Sequence, residues 1–350
     1  MILLLLIYFA LCVYKAKPCF NGTADYMSIE NTQAIKGIFI IMVFFSHIRG
    51  YVVLDGGLSD RIFLKFFLII GQAMVTLFMF YSGYGVMESI KKKGAPYVSK
   101  IPKNRILSTL FRFDLAVLLF GIITVALGEK VTLKRVLLSL IGWDALGNSN
   151  WYIFVILVLY LLTYVVFTVL KNKPYILSVI VLSAVLCVLV FLTYYFGIRP
   201  EHWYDTALCY AFGMIYSFIK PKAEQIFSKN AIVWGAAILV LLGAFYILKW
   251  DHPLLDCVAN LLFTAAVVLF TMHVTFKNKI LVWCGENLFE LYILQRIPMI
   301  VLSRLGVSEI SAILYTVLSA TITVLLAIIF KIISNKMWKI ISVPKIKENG

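Results

Sequence analysis

Along the chain, apolar runs alternate with short polar or basic connections. Each run has roughly the 17 to 25 residues that carry a helix across a hydrocarbon core of about 30 Å. The predicted spans are residues 34–53, 62–87, 106–128, 151–170, 175–196, 203–219, 231–248, 254–276, 281–303 and 310–333. A shorter apolar run precedes them at 1–14, with neither a basic leading region nor a small-residue cleavage pattern before Lys15 and Lys17, which favours a retained span over a signal peptide. The pattern predicts an all-α fold, a polytopic membrane helix bundle of ten spans plus one short leading span. It divides into a leading segment and linker (1–30), one membrane domain (31–340) and a cytoplasmic tail (341–350).

Composition strengthens this picture: 62% of the 350 residues are hydrophobic and 14% charged, against about half and a quarter in soluble proteins. The formal charge of +15 would suit nucleic acid if the basic residues formed one patch. They fall between spans instead, which argues against a nucleic-acid partner and leaves the lipid bilayer as the surrounding solvent. Short cytoplasmic connections carry the excess of Lys and Arg, and placing residue 1 outside puts Lys36, Lys91–Lys93, Lys103, Arg105, Lys171, Lys220, Lys277 and the C-terminal lysines inside. The longest connection, 129–150, is then external, and its VTLKRVLLSLIGW portion reads as a short interfacial helix over an outward-facing cavity.

Six scattered cysteines lack paired spacing and read as packing residues. The four histidines form no HExxH motif, so no metal is expected. Asn21-Gly22-Thr23 matches a glycosylation acceptor, but the topology puts it inside.

Ionisable residues within spans cost several kcal/mol at mid-bilayer unless paired or hydrated. Counted from the cytoplasmic edge at about 1.5 Å per residue, His47 lies about 16 Å deep, and Ser82 and Asp114 about 13 Å. Span 281–303 carries Glu286 and Glu290 one turn apart, then Gln295 and Arg296. Taken singly, each of these is explained as well by tying helices together through a hydrogen bond of about 1 kcal/mol. Together, His47, Asp114, Glu290 and Arg296 point to a polar chamber inside the bundle. His202 and His252 fall in external loops, and His273 near a span end suits packing.

The wording around these residues resembles acyltransferase family 3, the ten-span membrane O-acyltransferases of bacterial cell-surface glycans. IKGIFIIMVFFSHI, with Lys36 and His47, is similar to the family's first helix, where a basic residue precedes a histidine. LFMFYSGYGVMESI, containing Ser82, resembles its FFxLSGY helix, and YVSKIPKNRILSTL, with Lys103 and Arg105, its membrane-edge basic motif. NWYIFVILVLY, which opens at Trp151, LCYAFGMIYS and CGENLFELYILQ resemble later spans in the same order. Three features depart from the pattern. Lys36 stands where arginine is usual, Gln295 where many relatives carry histidine, and residues 1–30 lie outside the resemblance.

The resemblance implies transfer of an acyl group, acetyl being expected, from cytoplasmic acyl-CoA to a hydroxyl of an extracytoplasmic glycan or lipid-linked sugar. His47 would act as general base or acyl relay, oriented by Asp114 or Glu290, with Arg296 stabilising oxyanion charge. Lys36, Lys103 and Arg105 would hold the CoA phosphates, and Ser82, Trp151 and Gln295 would contact substrate. The rival class is a transporter or flippase of a lipid-linked sugar; inverted halves with broken helices would favour it, and none is discernible in the sequence.

Overall fold

The computed structural model describes residues 1–19, 25–54, 56–250 and 252–342; Asn21-Gly22-Thr23 and most of the tail, Lys345 and Lys347 included, lie outside the described residues. The long helices are α1 (Ile2–Val13), α2 (Ile29–Ile48), α3 (Leu58–Ile70), α4 (Ala73–Lys93), α5 (Ser108–Ala126), α6 (Trp151–Val169) and α7 (Tyr175–Tyr195). They continue as α8 (Leu208–Phe227), α9 (Ala231–Leu248), α10 (Pro253–Met272), α11 (Lys279–Glu286), α12 (Leu288–Leu294), α13 (Arg296–Arg304) and α14 (Ala312–Ser342). The fold is an all-α membrane bundle. Eight helical segments among the described residues are long and apolar enough to cross a membrane. A helix satisfies its own backbone polar groups, which is why such sequences cross lipid in this form.

Two predicted spans differ from the structure. Residues 62–87 are divided at Gly71, whose positive φ of 48° ends α3 before α4 begins. Residues 281–303 are three short helices, interrupted at Asn287 and Gln295. The carbonyl freed at the first break is satisfied from α14, where Lys331 Nζ donates to Glu286 O at 3.1 Å and Asn287 Oδ1 at 2.8 Å. The predicted interfacial helix is present at Leu133–Leu140, capped by the Thr132 hydroxyl.

The leading segment packs into the bundle. Tyr8 donates its hydroxyl to Ile38 O at 3.0 Å, and strand β1 (Ala16–Pro18) pairs antiparallel with β2 (Val274–Phe276). Asn278 caps α11 through Oδ1 while its amide donates to Leu11 O at 2.9 Å.

Two helix crossings bring backbones into contact. In α2 and α11 the arrangement is reciprocal: a Cβ on Gly37 would overlap Leu281 O, and one on Gly285 would overlap Gln33 O. In α4 and α8, Gly83 faces Tyr210 O and Gly213 faces Phe80 O in the same way. Lipid gives helices no hydrophobic reason to associate, so close approach at small residues supplies the packing. By contrast, α9 buries only Phe245 and turns its apolar surface outward, as a lipid-facing helix does.

Gly83→Ala and Gly285→Ala are each expected to cost about 1 to 3 kcal/mol by overpacking, seen as a lower thermal midpoint in detergent. Gly235→Ala in α9, where a Cβ meets nothing within 4 Å, should leave the midpoint in place.

Candidate active site

Helix α2 carries both Lys36 and His47. Eleven residues at 100° each return to within about 20° of the starting face, so the two side chains share one side of the helix about 16 Å apart. His47 Nδ1 is buried and has no hydrogen-bond partner. Its ring centroid lies 6.5 Å from that of Tyr292 in α12. Tyr292, 2% exposed, packs edge-on against Tyr152 at 5.3 Å. The Ser149 hydroxyl is beside Tyr292, and the Ser82 hydroxyl is beside Tyr152. Neither Tyr292 Oη nor Ser149 Oγ makes a well-formed hydrogen bond. Leaving a buried polar atom unpaired costs about 1 to 3 kcal/mol. Three such atoms, His47 Nδ1, Tyr292 Oη and Ser149 Oγ, belong to this run of neighbouring side chains.

The charged groups acting on His47 are Arg296 and Arg49. Arg296 is held by Tyr51, whose hydroxyl accepts from Nε and Nη2, both at 3.2 Å. The break at Gln295 starts a new helix at Arg296, and the guanidinium remains within electrostatic reach of the imidazole.

The chamber expected from sequence is therefore only partly assembled. Among the described residues, neither Asp114 nor Glu290 makes a hydrogen bond or ion pair with His47, so the orienting role predicted for them finds no contact. Glu290, 3% exposed, precedes Tyr292 by two residues, about 200° around the helix, and so faces away from the ring that meets His47. Asp114 lies on α5, which packs against α6, α12 and α14, whereas α2 packs against α4, α11 and α12. Its Oδ1 is buried without a partner.

At the basic end, Lys36 Nζ lies 5.9 Å from the Tyr81 ring centroid, and Arg105 is the charge that acts on it. Arg105 stacks near Tyr160 at 5.9 Å with Tyr97 and Tyr210 alongside. No carboxylate is among the groups acting on either cation. Lys36 and Arg105 are therefore near enough to repel one another with no acidic partner between them. Lys103 does not join them: it is exposed and donates to Ser342 O at 2.9 Å, on α14. Both residues belong to a widened π-helical stretch, Pro102–Leu107, a local irregularity common at functional sites.

The remaining candidates separate similarly. Trp151 stacks edge-on with Tyr152 at 6.0 Å, joining the ring cluster. Gln295 is 1% exposed and donates Nε2 to Tyr292 O at 3.2 Å. With Ile40, Ile41 and Phe44 of α2 it borders an apolar cavity of about 110 Å³ on the α14 side. Sequence reasoning missed Tyr292, Tyr152, Ser149 and Tyr51. A tyrosine in an apolar run reads as an interfacial anchor, and only its spatial neighbours reveal another use.

A family model described as an acyltransferase domain matches residues 30–332. The chain belongs to this acyltransferase family. No curated protein and no solved structure matches the chain. The matched region contains the imidazole cluster and the cation pair, so both belong to a multi-pass membrane acyltransferase.

Because the Tyr292 hydroxyl has no partner, Tyr292→Phe in this acyltransferase should leave the thermal midpoint in detergent nearly unchanged. Tyr315→Phe, which removes a bond to Met299 O at 2.5 Å, should cost about 1 kcal/mol or more.

Proposed function

We propose that the protein moves an acyl group, acetyl being expected, from cytoplasmic acyl-CoA to a hydroxyl of an extracytoplasmic glycan or lipid-linked sugar. The observation that carries this reading is that α2 bears both the unpaired His47 imidazole and, about 16 Å away on the same side, Lys36, on which Arg105 of the π-helical stretch acts. Lys36 and Arg105 hold the phosphates of CoA at the basic end; the point charge of Lys36 attracts them, while the Arg105 fork fixes direction. His47, neutral, takes the proton of the acceptor hydroxyl as its oxygen attacks the thioester carbonyl, or else relays the acyl group. The carbonyl π electrons move to oxygen and return as the C–S bond breaks, and the proton passes to the departing CoA sulfur. Arg296, steadied by Tyr51, faces the developing oxyanion.

Asp114 and Glu290 have no assigned contact with the imidazole in this scheme, and Lys103 none with CoA. Ser82 and Trp151 border the acceptor through the Tyr152 ring.

In membranes supplied with labelled acetyl-CoA, His47→Ala should lower label transfer to glycan by about 10²-fold or more at unchanged protein level. Full transfer by that variant would overturn the role of His47. Lys36→Ala and Arg105→Ala should each raise KM for the donor by about tenfold with a smaller effect on kcat, the loss of one charge-assisted phosphate contact. Donor consumption also separates this reading from a flippase, which moves its cargo unaltered.

A further inference from the structure

A second polar site lies at the end of the bundle opposite the lysine-rich connections. The turn between α3 and α4, the stretch before α8 and the α9–α10 turn enclose a cavity of about 270 Å³. Its walls include Glu201, Asp205, Asp256, Asn260 and Lys249, and Trp250 stands at its edge, 52% exposed. Three carboxylates face one ammonium. That ammonium is already engaged: Lys249 Nζ donates to Ile69 O at 2.6 Å and lies 5.3 Å from the Phe245 and Trp250 ring centroids. No ion pair joins Lys249 to the three acids among the described residues.

Asp205 is the decisive group. It is 3% exposed, and its Oδ1 has no hydrogen-bond partner. The carboxylate of Glu201 likewise leaves Oε1 unpaired. Burial without a donor disfavours the ionised form of Asp205, so it faces the cavity as a neutral carboxylic acid able to hydrogen-bond a hydroxyl, while Glu201 and Asp256 lie side by side. A bare metal ion suits the walls poorly, since no three described acidic, histidine or cysteine side chains sit close enough together to hold one. An ammonium group on a larger hydroxylated molecule suits them better. Its ammonium needs only the adjacent Glu201 and Asp256 carboxyls, Asp205 and the Asn260 and Gln72 amides meet hydroxyls, and the Trp250 face receives a ring or a cation. The volume is slightly below the roughly 300 Å³ of typical small-molecule sites, enough for a single sugar-sized unit.

The cavity is also connected to the imidazole. His202 in its wall is 5.7 Å from the Trp151 ring. From Trp151 the rings of Tyr152, Tyr292 and His47 follow, each centroid within 6.5 Å of the next.

We propose that this cavity is a binding subsite for an amino sugar, with the neighbouring Glu201 and Asp256 carboxyls holding its ammonium and Asp205 meeting a hydroxyl. Its identity as the acceptor's subsite rests on the acyl-transfer reading above; its selectivity for a cationic sugar does not.

Charge state supplies a second signature. Burial, with Asp256 beside it, pushes the Glu201 carboxyl up to about 7. The groups facing it are His202, Tyr204 and Asp205 from its own stretch, Lys249 after α9, and Asp256 and Cys257 on α10; the α3–α4 turn contributes only neutral Gln72 and Leu68. A cation pairs with the ionised carboxylate, while the amino sugar's own amine titrates in the range of an α-amino group, so affinity should rise from pH 6 to a maximum at about pH 7.5 and fall again above it.

The test is calorimetric titration of the full-length protein in detergent with glucosamine, glucose and N-acetylglucosamine, without acyl donor. Glucosamine is expected to bind at least about tenfold tighter than either neutral sugar at about pH 7.5, and Glu201→Gln and Asp256→Asn should each remove most of that preference. Equal binding of the three sugars, a preference that survives in both variants, or binding of calcium chloride in place of glucosamine overturns the proposal. Selective glucosamine binding by a protein that never transfers label would instead sink the acyl-transfer reading alone. Transfer to glycan without glucosamine selectivity would sink only the subsite.

Discussion

Backbone contact between α2 and α11 is the constraint from which the site follows. Gly37 and Gly285 each leave room for a carbonyl of the opposite helix, and no larger residue fits without moving one of them. Because α11 is pinned there, the interrupted chain that follows it is delivered against the same helix that bears His47. Tyr292 then meets the imidazole, and Arg296 comes within its electrostatic reach. A continuous span through 281–303 would carry one unbroken face along α2. The breaks at Asn287 and Gln295 give the segment three directions, and Lys331 from α14 satisfies the backbone they expose.

Lipid makes the polar interior costly and therefore informative. In a soluble protein an unpaired hydroxyl near the surface finds water, whereas here His47 Nδ1, Tyr292 Oη and Ser149 Oγ are all enclosed. The cations at the basic end pose the complementary problem, since Lys36 and Arg105 repel one another without an anion between them. These local penalties are tolerated because packing elsewhere, at the α4–α8 crossing and through the buried aromatic core, holds the frame. Stability is thus concentrated in close helix crossings, and the unsatisfied groups lie in the interior that those crossings frame.

Much of the fold was legible because lipid imposes simple rules on sequence. Apolar run length gave the helices, and the spacing of Lys36 and His47 already placed both on one helix side. Asp114, Glu290 and Lys103 were drawn to the site by depth and motif position; neither carboxyl makes a hydrogen bond or ion pair with His47 among the described residues, and Lys103 donates to Ser342 O. Depth along a helix is one coordinate, and rotation about its axis and the choice of neighbouring helix are two more that a single apolar sequence does not encode. The cluster of Glu201, Asp205 and Asp256 escaped notice for a related reason, since 55 residues and an entire hairpin of helices separate its members.

By itself, the sequence determined that the chain is a helical membrane bundle, where its basic end lies, and which family its ordered motifs resemble. Those properties depend on hydrophobic length, charge placement and local wording, all of which are read along one dimension. Only the tertiary structure decided that Tyr292 packs beside the imidazole with Tyr152 behind it and Arg296 within electrostatic reach, that Arg105 comes near Lys36, and that an acidic cavity opens at the opposite end. Those are consequences of which helices touch and how each is rotated, and in lipid that is settled by close packing at small residues and by polar groups seeking partners, interactions formed between segments far apart in the chain.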